Sequence, residues 1–271
     1  VAHASRMFSA KSLLFNDTEH ALAERVLAIP FADRVCTPEC YTLNHGRKQV
    51  RYPGYHELAY LHPNRFTPDP SVFDDLPFGR DDKIVIVRVN AWRAAHDIGD
   101  GGFGNIKAVV RRLAATGAQV VITSEPDLPP GLRRYHVDID LRRIHDLMFF
   151  ADLLIGESST MAAESAVLGT PAIFISTSSR GYTDELQDKY GLVFHYSGPE
   201  RQEKGLRTAV SILNQYDDDR WATRRERLLG DKIDTTSFML DQIADLTGRV
   251  PAKPPAAPGG PRGTATGADA G

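Results

Sequence analysis

The stretch 152–176, DLLIGESSTMAAESAVLGTPAIFIS, constrains the fold more than any other part of the chain. It opens with an apolar run, Leu153 to Ile155, turns on Gly156, and passes through Ser158, Ser159 and Thr160 into a small-residue segment that stops at Gly169. Pro171 and a second apolar run, Ala172 to Ile175, follow. Strand, turn, helix, turn and strand in that order make a βαβ unit, and such a unit implies a parallel sheet with helices on its faces.

Two features of this unit suggest chemistry. The hydroxyl cluster lies where strand gives way to helix. Free backbone N–H groups and the positive end of the helix dipole converge there with three side-chain donors, a setting that holds phosphate oxygens. The second feature is Glu164, the only charge in MAAESAVLG. A capping box needs its carboxylate three residues after the cap, and from Ser158, Ser159 or Thr160 that position is Met161, Ala162 or Ala163. A carboxylate one turn into a phosphate-binding helix can instead accept hydrogen bonds from a sugar diol. The plainer alternative is that the hydroxyls only cap the helix and Glu164 faces solvent.

The flanking sequence extends the pattern. KIVIVRV from Lys83 reads as a buried strand, Asn105 to Thr116 as a helix, QVVIT from Gln119 as a strand, Arg142 to Ala151 as a helix and Leu192 to Tyr196 as a strand. Helices are expected over 200–215, 219–229 and 235–247. Alternating strands and helices predict a doubly wound parallel sheet. Upstream, Ser12 to Asn16 is a short strand that runs into the polar cluster Asn16 to His20, with Asp17 or Thr18 expected to cap a helix bearing Ala21, Leu22, Val26, Leu27 and Ile29 on one face. Arg34 to Thr37 is another strand candidate. Residues 46–70 are rich in Tyr, His and Pro without clear periodicity and read as the joint between two halves. The expected domains are therefore 1–75 and 76–249, followed by a Pro-, Gly- and Ala-rich tail, 250–271, with too little to bury for a fold.

Ligands of such sheets sit at the carboxyl ends of the strands. The first strand offers Arg88, Asn90, Arg93 and His96 there, the second Thr123, Ser124 and Glu125, and the third Ser158, Ser159 and Thr160. His145 opens a neighbouring helix. Each has a simpler reading: Arg88 can pair with a carboxylate, His96 can bond within its loop, Ser124-Glu125 can be a turn, and His145 can be a satisfied surface residue. Their convergence on one crevice is what favours a site.

Charge excludes several classes. The 271 residues carry 32 Lys and Arg against 35 Asp and Glu, a net charge of −3, which gives no reason to expect nucleic acid or an anionic membrane as partner. No apolar run approaches the roughly 20 residues that span a bilayer, and the start lacks a signal-peptide core. A cytoplasmic location with at most peripheral membrane contact is the expectation. Cys36 and Cys40 have no second ligand pair and are expected to be free thiols. The chain begins at Val1 and enters a strand-like run within a dozen residues, so an incomplete N-terminal domain is expected.

The segments FNDTEHALAERVLAIPFADRVCTPECY, YPGYHELAYLHPNRFTPD, VRVNAWRAAHD, VITSE, IHDLMFFADLLIGESSTMAAESAVLGTPAIFI and ELQDKYGLVF, taken together, resemble the archaeal and bacterial family called domain of unknown function three-five-four. That family is grouped with the GT-B superfold of nucleotide-sugar glycosyltransferases and non-hydrolysing UDP-N-acetylglucosamine 2-epimerases. The resemblance covers most of 12–196. It is specific for the family and not for a reaction, because fold does not fix function. It implies an α/β, GT-B-like protein of two Rossmann-like doubly wound parallel-sheet domains, with the first βα units and Gly-rich loop absent before Val1.

Residue by residue, the resemblance implies that Glu164 bonds the ribose and that Ser158, Ser159 and Thr160 form the diphosphate turn. Arg88 would meet the phosphates beside Asn90 and Arg93, while Ser124, Glu125 and His145 line the base side. Asp17, Glu19 and His20 would face the sugar across the cleft, where the epimerases keep the carboxylates that handle the proton at the epimerised carbon. A C-terminal helix at 235–247 would cross back to the first domain. The leading expectation is transfer of a sugar from a UDP-linked donor to a glycan or lipid-linked acceptor in cell-surface polysaccharide synthesis. Asp17 or Glu19 would be the base, and Arg88 with the hydroxyl turn would stabilise the leaving diphosphate without metal or cofactor. The alternatives are sugar epimerisation, with Asp17, Glu19 and His96 moving protons, and nucleotide-sugar binding without catalysis.

Overall fold

A computed structural model describes residues 2–89, 103–124, 128–137 and 139–248. Two wholly parallel sheets organise them. The first has the order β1 (Leu13–Phe15), β2 (Arg34–Pro38), β3 (Gln49–Tyr52), with α1 (Ala2–Met7), α2 (Leu22–Leu27) and α3 (Leu58–Leu61) around it. The second has the order β5-β4-β6-β7-β8, from β4 (Ile84–Val89), β5 (Gln119–Ser124), β6 (Leu153–Gly156), β7 (Ala172–Ile175) and β8 (Val193–Tyr196). Its helices are α4 (Ile106–Ala114), α5 (Ile144–Phe150), α6 (Ser159–Leu168) and α7 (Gly181–Glu185), the last running on through a π-helical turn, Leu186–Tyr190. Then come α8 (Arg201–Asn214), α9 (Asp218–Asp231) and α10 (Thr235–Thr247).

Both faces of the second sheet are covered, which is why its strands read as continuous β-branched runs. Ile84, Ile86, Val121, Leu154 and Phe174 pack on one side with α5, α6 and the α7 region. Val85, Val87, Ile122, Ile155 and Ile173 pack on the other with α4 and α8. Helix α6 is buried from Ala162 to Leu168, so it shows no amphipathic stripe, and its small side chains let the sheet and neighbouring helices approach closely. Gly169 ends it in the left-handed region at φ 99°.

Two expectations are corrected. Neither Asp17 nor Thr18 caps α2: its N-cap is Ala21, without a side-chain bond. The helix starts late because Asp17 is engaged elsewhere, and its apolar residues Leu22, Val26 and Leu27 are exposed. Residues 46–70 are also more than a joint. They supply β3, α3 and the buried Tyr52, Tyr55, Leu58 and Leu61. Elements of four residues are too short to show a period, which is why the pattern failed there.

Helix α10 returns to the first sheet, as the resemblance implies. Thr235 and Thr236 donate to the carbonyls of Tyr55 and Ala59 at 2.8 and 2.6 Å. Asp234 pairs with Arg65 at 2.9 Å, Asp245 with Arg34 at 2.6 Å, and Phe238 stacks on Tyr52 at 4.8 Å between ring centroids. Among the described residues no helix is long and apolar enough to cross a membrane. The tail 250–271 lies outside the described residues.

Candidate functional site

At the carboxyl end of β1 the chain delivers Asn16 and Asp17 toward the second sheet. Asp17 pairs through Oδ2 with His56 Nδ1 at 2.8 Å and accepts the Thr18 hydroxyl on Oδ1 at 2.9 Å. His56 and Glu57 lead directly into α3, with Glu57 as its N-cap residue. Glu57 is 2% exposed, and among the described residues its Oε2 has no hydrogen-bond partner. Asn16 Oδ1 and His56 Nε2 are likewise buried without a partner among the described residues, although Asn16 Nδ2 donates to Glu24 at 2.6 Å. Buried polar atoms are normally paired, and these three residues bring several unpaired ones together beside Asp17.

The protonation states there are opposed. Burial pushes the Glu57 carboxyl up to about 8, offset in part by its own backbone N–H, with the charge of Asp17 adding to the rise. Burial would raise Asp17 too, but the hydrogen bond and charge of His56, with the Thr18 hydroxyl, outweigh it and hold Asp17 below the usual range. Burial disfavours charged His56, and the bond to Asp17 overcomes it and raises His56 above the ordinary imidazole value. At neutral pH the cluster therefore presents a protonated acid, Glu57, beside an ionised Asp17.

The second sheet supplies the facing wall. Ser158 caps α6, accepting from Met161 N at 3.2 Å, so part of its hydroxyl capacity serves the helix. Burial raises the Tyr182 hydroxyl, and Ser159 acts on it in the opposite direction. Glu164 is 9% exposed, and its Oε1 accepts from Tyr60 at 2.8 Å and faces His145 Nε2 at 3.0 Å. Glu19 Oε1 accepts the Thr42 N–H at 3.3 Å, and His20 Nε2 lies 3.0 Å from the Ser179 carbonyl. Gly181 abuts the Cys40 carbonyl and Glu19, where a Cβ would collide, so the 176–181 loop is held against the first sheet.

Of the residues expected from the sequence, Asp17, Glu19, His20, His145, Ser158, Ser159 and Glu164 lie along this junction. Thr160 is exposed in the first turn of α6, Arg88 is half-buried one residue before the end of β4, and Ser124 is the last residue of β5. Asn90, Arg93, His96 and Glu125 lie outside the described residues. The sequence reading missed His56, Glu57, Tyr60 and Tyr182. The one signal for the first three was a His-Glu pair set among aromatic residues in YHELAY, where no periodicity separates core from site, and Tyr182 had none. It also missed Arg180, whose guanidinium reaches the Ser178 hydroxyl and Ser179 carbonyl at 3.0 and 2.9 Å just beyond β7.

Among the described residues no three His, Cys, Asp or Glu side chains are arranged to hold a metal ion, and both cysteines are free. A cavity of about 620 Å³ opens at the other end of the second sheet, against Lys83, Asp152, Thr170 and Trp221, away from these groups.

Residues 7–195 match the family described as "Protein of unknown function (DUF354)". Among curated proteins no sequence match is found. Among solved structures, the UDP-GlcNAc 2-epimerase of Neisseria meningitidis bound to UDP-GlcNAc is 12% identical with a TM-score of 0.61, covering 90% of this chain and 72% of that one. The MnaA–UDP co-structure from S. aureus is 14% identical with a TM-score of 0.58, covering 95% and 80%. The wall teichoic acid polymerase TagF is 16% identical at a TM-score of 0.45, and this chain spans 58% of its length. The epimerase likenesses establish a shared fold of two parallel-sheet units.

Proposed function

Taking as premise that the chain belongs to the DUF354 family and has a GT-B-like fold, we propose that it is a nucleotide-sugar enzyme that moves protons on the sugar, with a UDP-linked sugar as the leading substrate. The observation that carries this reading is the juxtaposition of Glu57, held neutral, with Asp17, held ionised by His56. Paired groups whose environments push their protonation apart are the usual arrangement of an acid and a base in one site. Removing a proton from the sugar carbon next to the one that bears UDP, with the C–H electron pair expelling UDP, and returning a proton to the other face as UDP re-adds, needs both, so this pair favours epimerase-like chemistry, with Asp17 as base and Glu57 as acid. The nucleotide lies on the other wall: diphosphate at Ser158, Ser159 and Thr160 with Arg88 and Arg180 near it, ribose on Glu164, and His145 toward the base.

Glycosyl transfer to a glycan or lipid-linked acceptor is the second reading. The Asp17–His56 pair favours it, because a carboxylate oriented by a histidine suffices as the one base that an acceptor hydroxyl needs.

Calorimetric titration with UDP, GDP and UDP-N-acetylglucosamine, beside Glu164→Ala, tests the nucleotide wall. Loss of a ribose contact to a charged acceptor is expected to weaken UDP roughly tenfold or more. No binding by the folded chain would overturn the reading. Product analysis then separates the chemistries: an epimerase returns UDP-sugar of altered configuration without acceptor, whereas a transferase releases UDP only when an acceptor is present.

A further inference from the structure

Glu164 is more than a ribose acceptor in this chain, because the protein already occupies one of its oxygens. Oε1 takes the Tyr60 hydroxyl and faces His145 Nε2, whereas Oε2 has no protein partner among the described residues. Each carboxylate oxygen has two lone pairs, so a ribose diol can donate to Oε2 without displacing either. Tyr60 is a residue of α3, and α3 begins immediately after His56 and Glu57. The backbone of this segment is pinned from behind by Thr235 on the Tyr55 carbonyl and Thr236 on the Ala59 carbonyl. A four-residue helix thus holds the acid and base partners at its entrance and is tethered to the nucleotide wall through its third residue.

We propose that Tyr60 is a positioning residue that couples ribose binding at Glu164 to the placement of His56 and Glu57. This rests on the nucleotide-sugar reading. Ribose hydroxyls on Oε2 fix the carboxylate plane, the fixed carboxylate fixes the Tyr60 hydroxyl, and α3 carries that constraint to the Asp17–His56–Glu57 cluster. The substrate's nucleotide end thereby organises the groups that act on its sugar end, and remote binding energy of this kind orients reacting groups. The groups facing His56 are Asp17, Glu57 and the Phe15 ring, so a change in their spacing registers in the histidine's proton affinity.

The test follows the His56 ring signals by NMR, assigned with His56→Gln, while the whole chain is titrated with UDP and with 2′,3′-dideoxy-UDP. In the wild-type chain UDP is expected to change the proton affinity of His56 by about twofold or more, and dideoxy-UDP, bound through its diphosphate, is expected to leave it unchanged. In Tyr60→Phe, UDP is expected to bind within roughly tenfold of wild type, with no response at His56. A His56 response that persists in Tyr60→Phe, or one that dideoxy-UDP reproduces in the wild-type chain, overturns the coupling. The second comparison needs no variant, so it decides even if Tyr60→Phe folds poorly. Failure of the underlying reading looks different: UDP does not bind, or Glu164→Ala binds it as wild type does.

Discussion

Glu57 is the acid of the proposed chemistry, and its environment predicts a stability profile as well as an activity. Its carboxyl titrates near 4.5 in an unfolded chain and is pushed up to about 8 in the fold. The folded state therefore binds an extra proton between those values, and stability falls as pH rises through that window. His56 acts in the same sense, since its raised value contributes stability at low pH that is lost as pH climbs. Asp17 acts in the opposite sense, contributing stability above its unfolded value and losing it as pH falls through the depressed one. Urea titrations from pH 5 to pH 8 are expected to show a declining midpoint for wild type, with a slope of up to roughly 1.4 kcal/mol per unit from Glu57, and a flatter profile for Glu57→Gln. The same variant is expected to lose about 10²- to 10⁴-fold in turnover with a nucleotide-sugar, as is Asp17→Asn, measured under saturating substrate. The sequence contained both residues but marked only Asp17, because a carboxylate at a strand end can be read from pattern and a carboxylate buried by distant elements cannot.

Among elements, the β6–α6 junction shows how closely the proposed nucleotide wall is built. Gly156 pairs with Arg88 across β6 and β4, and a Cβ on it would lie 2.7 Å from Arg88 Cβ and 2.8 Å from the Arg88 carbonyl oxygen. Gly156→Ala is expected to cost about 1–3 kcal/mol, since the contact is to backbone that has no room to retreat. Chemical denaturation reads that loss, and a weaker UDP complex should accompany it because Ser158 follows two residues later. This junction was legible in the sequence: an apolar run, a glycine and a hydroxyl cluster have a physical meaning that does not depend on distant partners. The α3 segment was not legible. Its four residues carry no period, and the Tyr60–Glu164 bond joins positions 104 residues apart.

At the scale of the molecule, α10 follows the helices of the second sheet and packs on the first sheet and α3. Asp234 caps α10 through Ser237 N at 3.2 Å and also pairs with Arg65 beyond α3. Asp234→Ala is expected to lower stability by about 1–3 kcal/mol, losing a helix cap and leaving Arg65 without its carboxylate. Amide exchange locates the effect: amides of β3 and α3 should exchange faster, while those of β4 and β6 keep their protection. A uniform increase across both sheets would mean that α10 serves global stability and not the seating of α3.

The sequence by itself determined the second sheet, its alternation with helices, the hydroxyl turn, the position of Glu164 and the long helices after β8, because each is written in local periodicity or in the special geometry of a glycine or cap. Only the tertiary structure decided which groups meet. Asp17 finds His56, Glu57 loses its water, and Tyr60 reaches Glu164 because two sheets and a returning helix close on one another. Burial is a property of that closure: it raises the Glu57 carboxyl, while the bond to His56 holds Asp17 down against it, and the proposed acid and base rest on that difference.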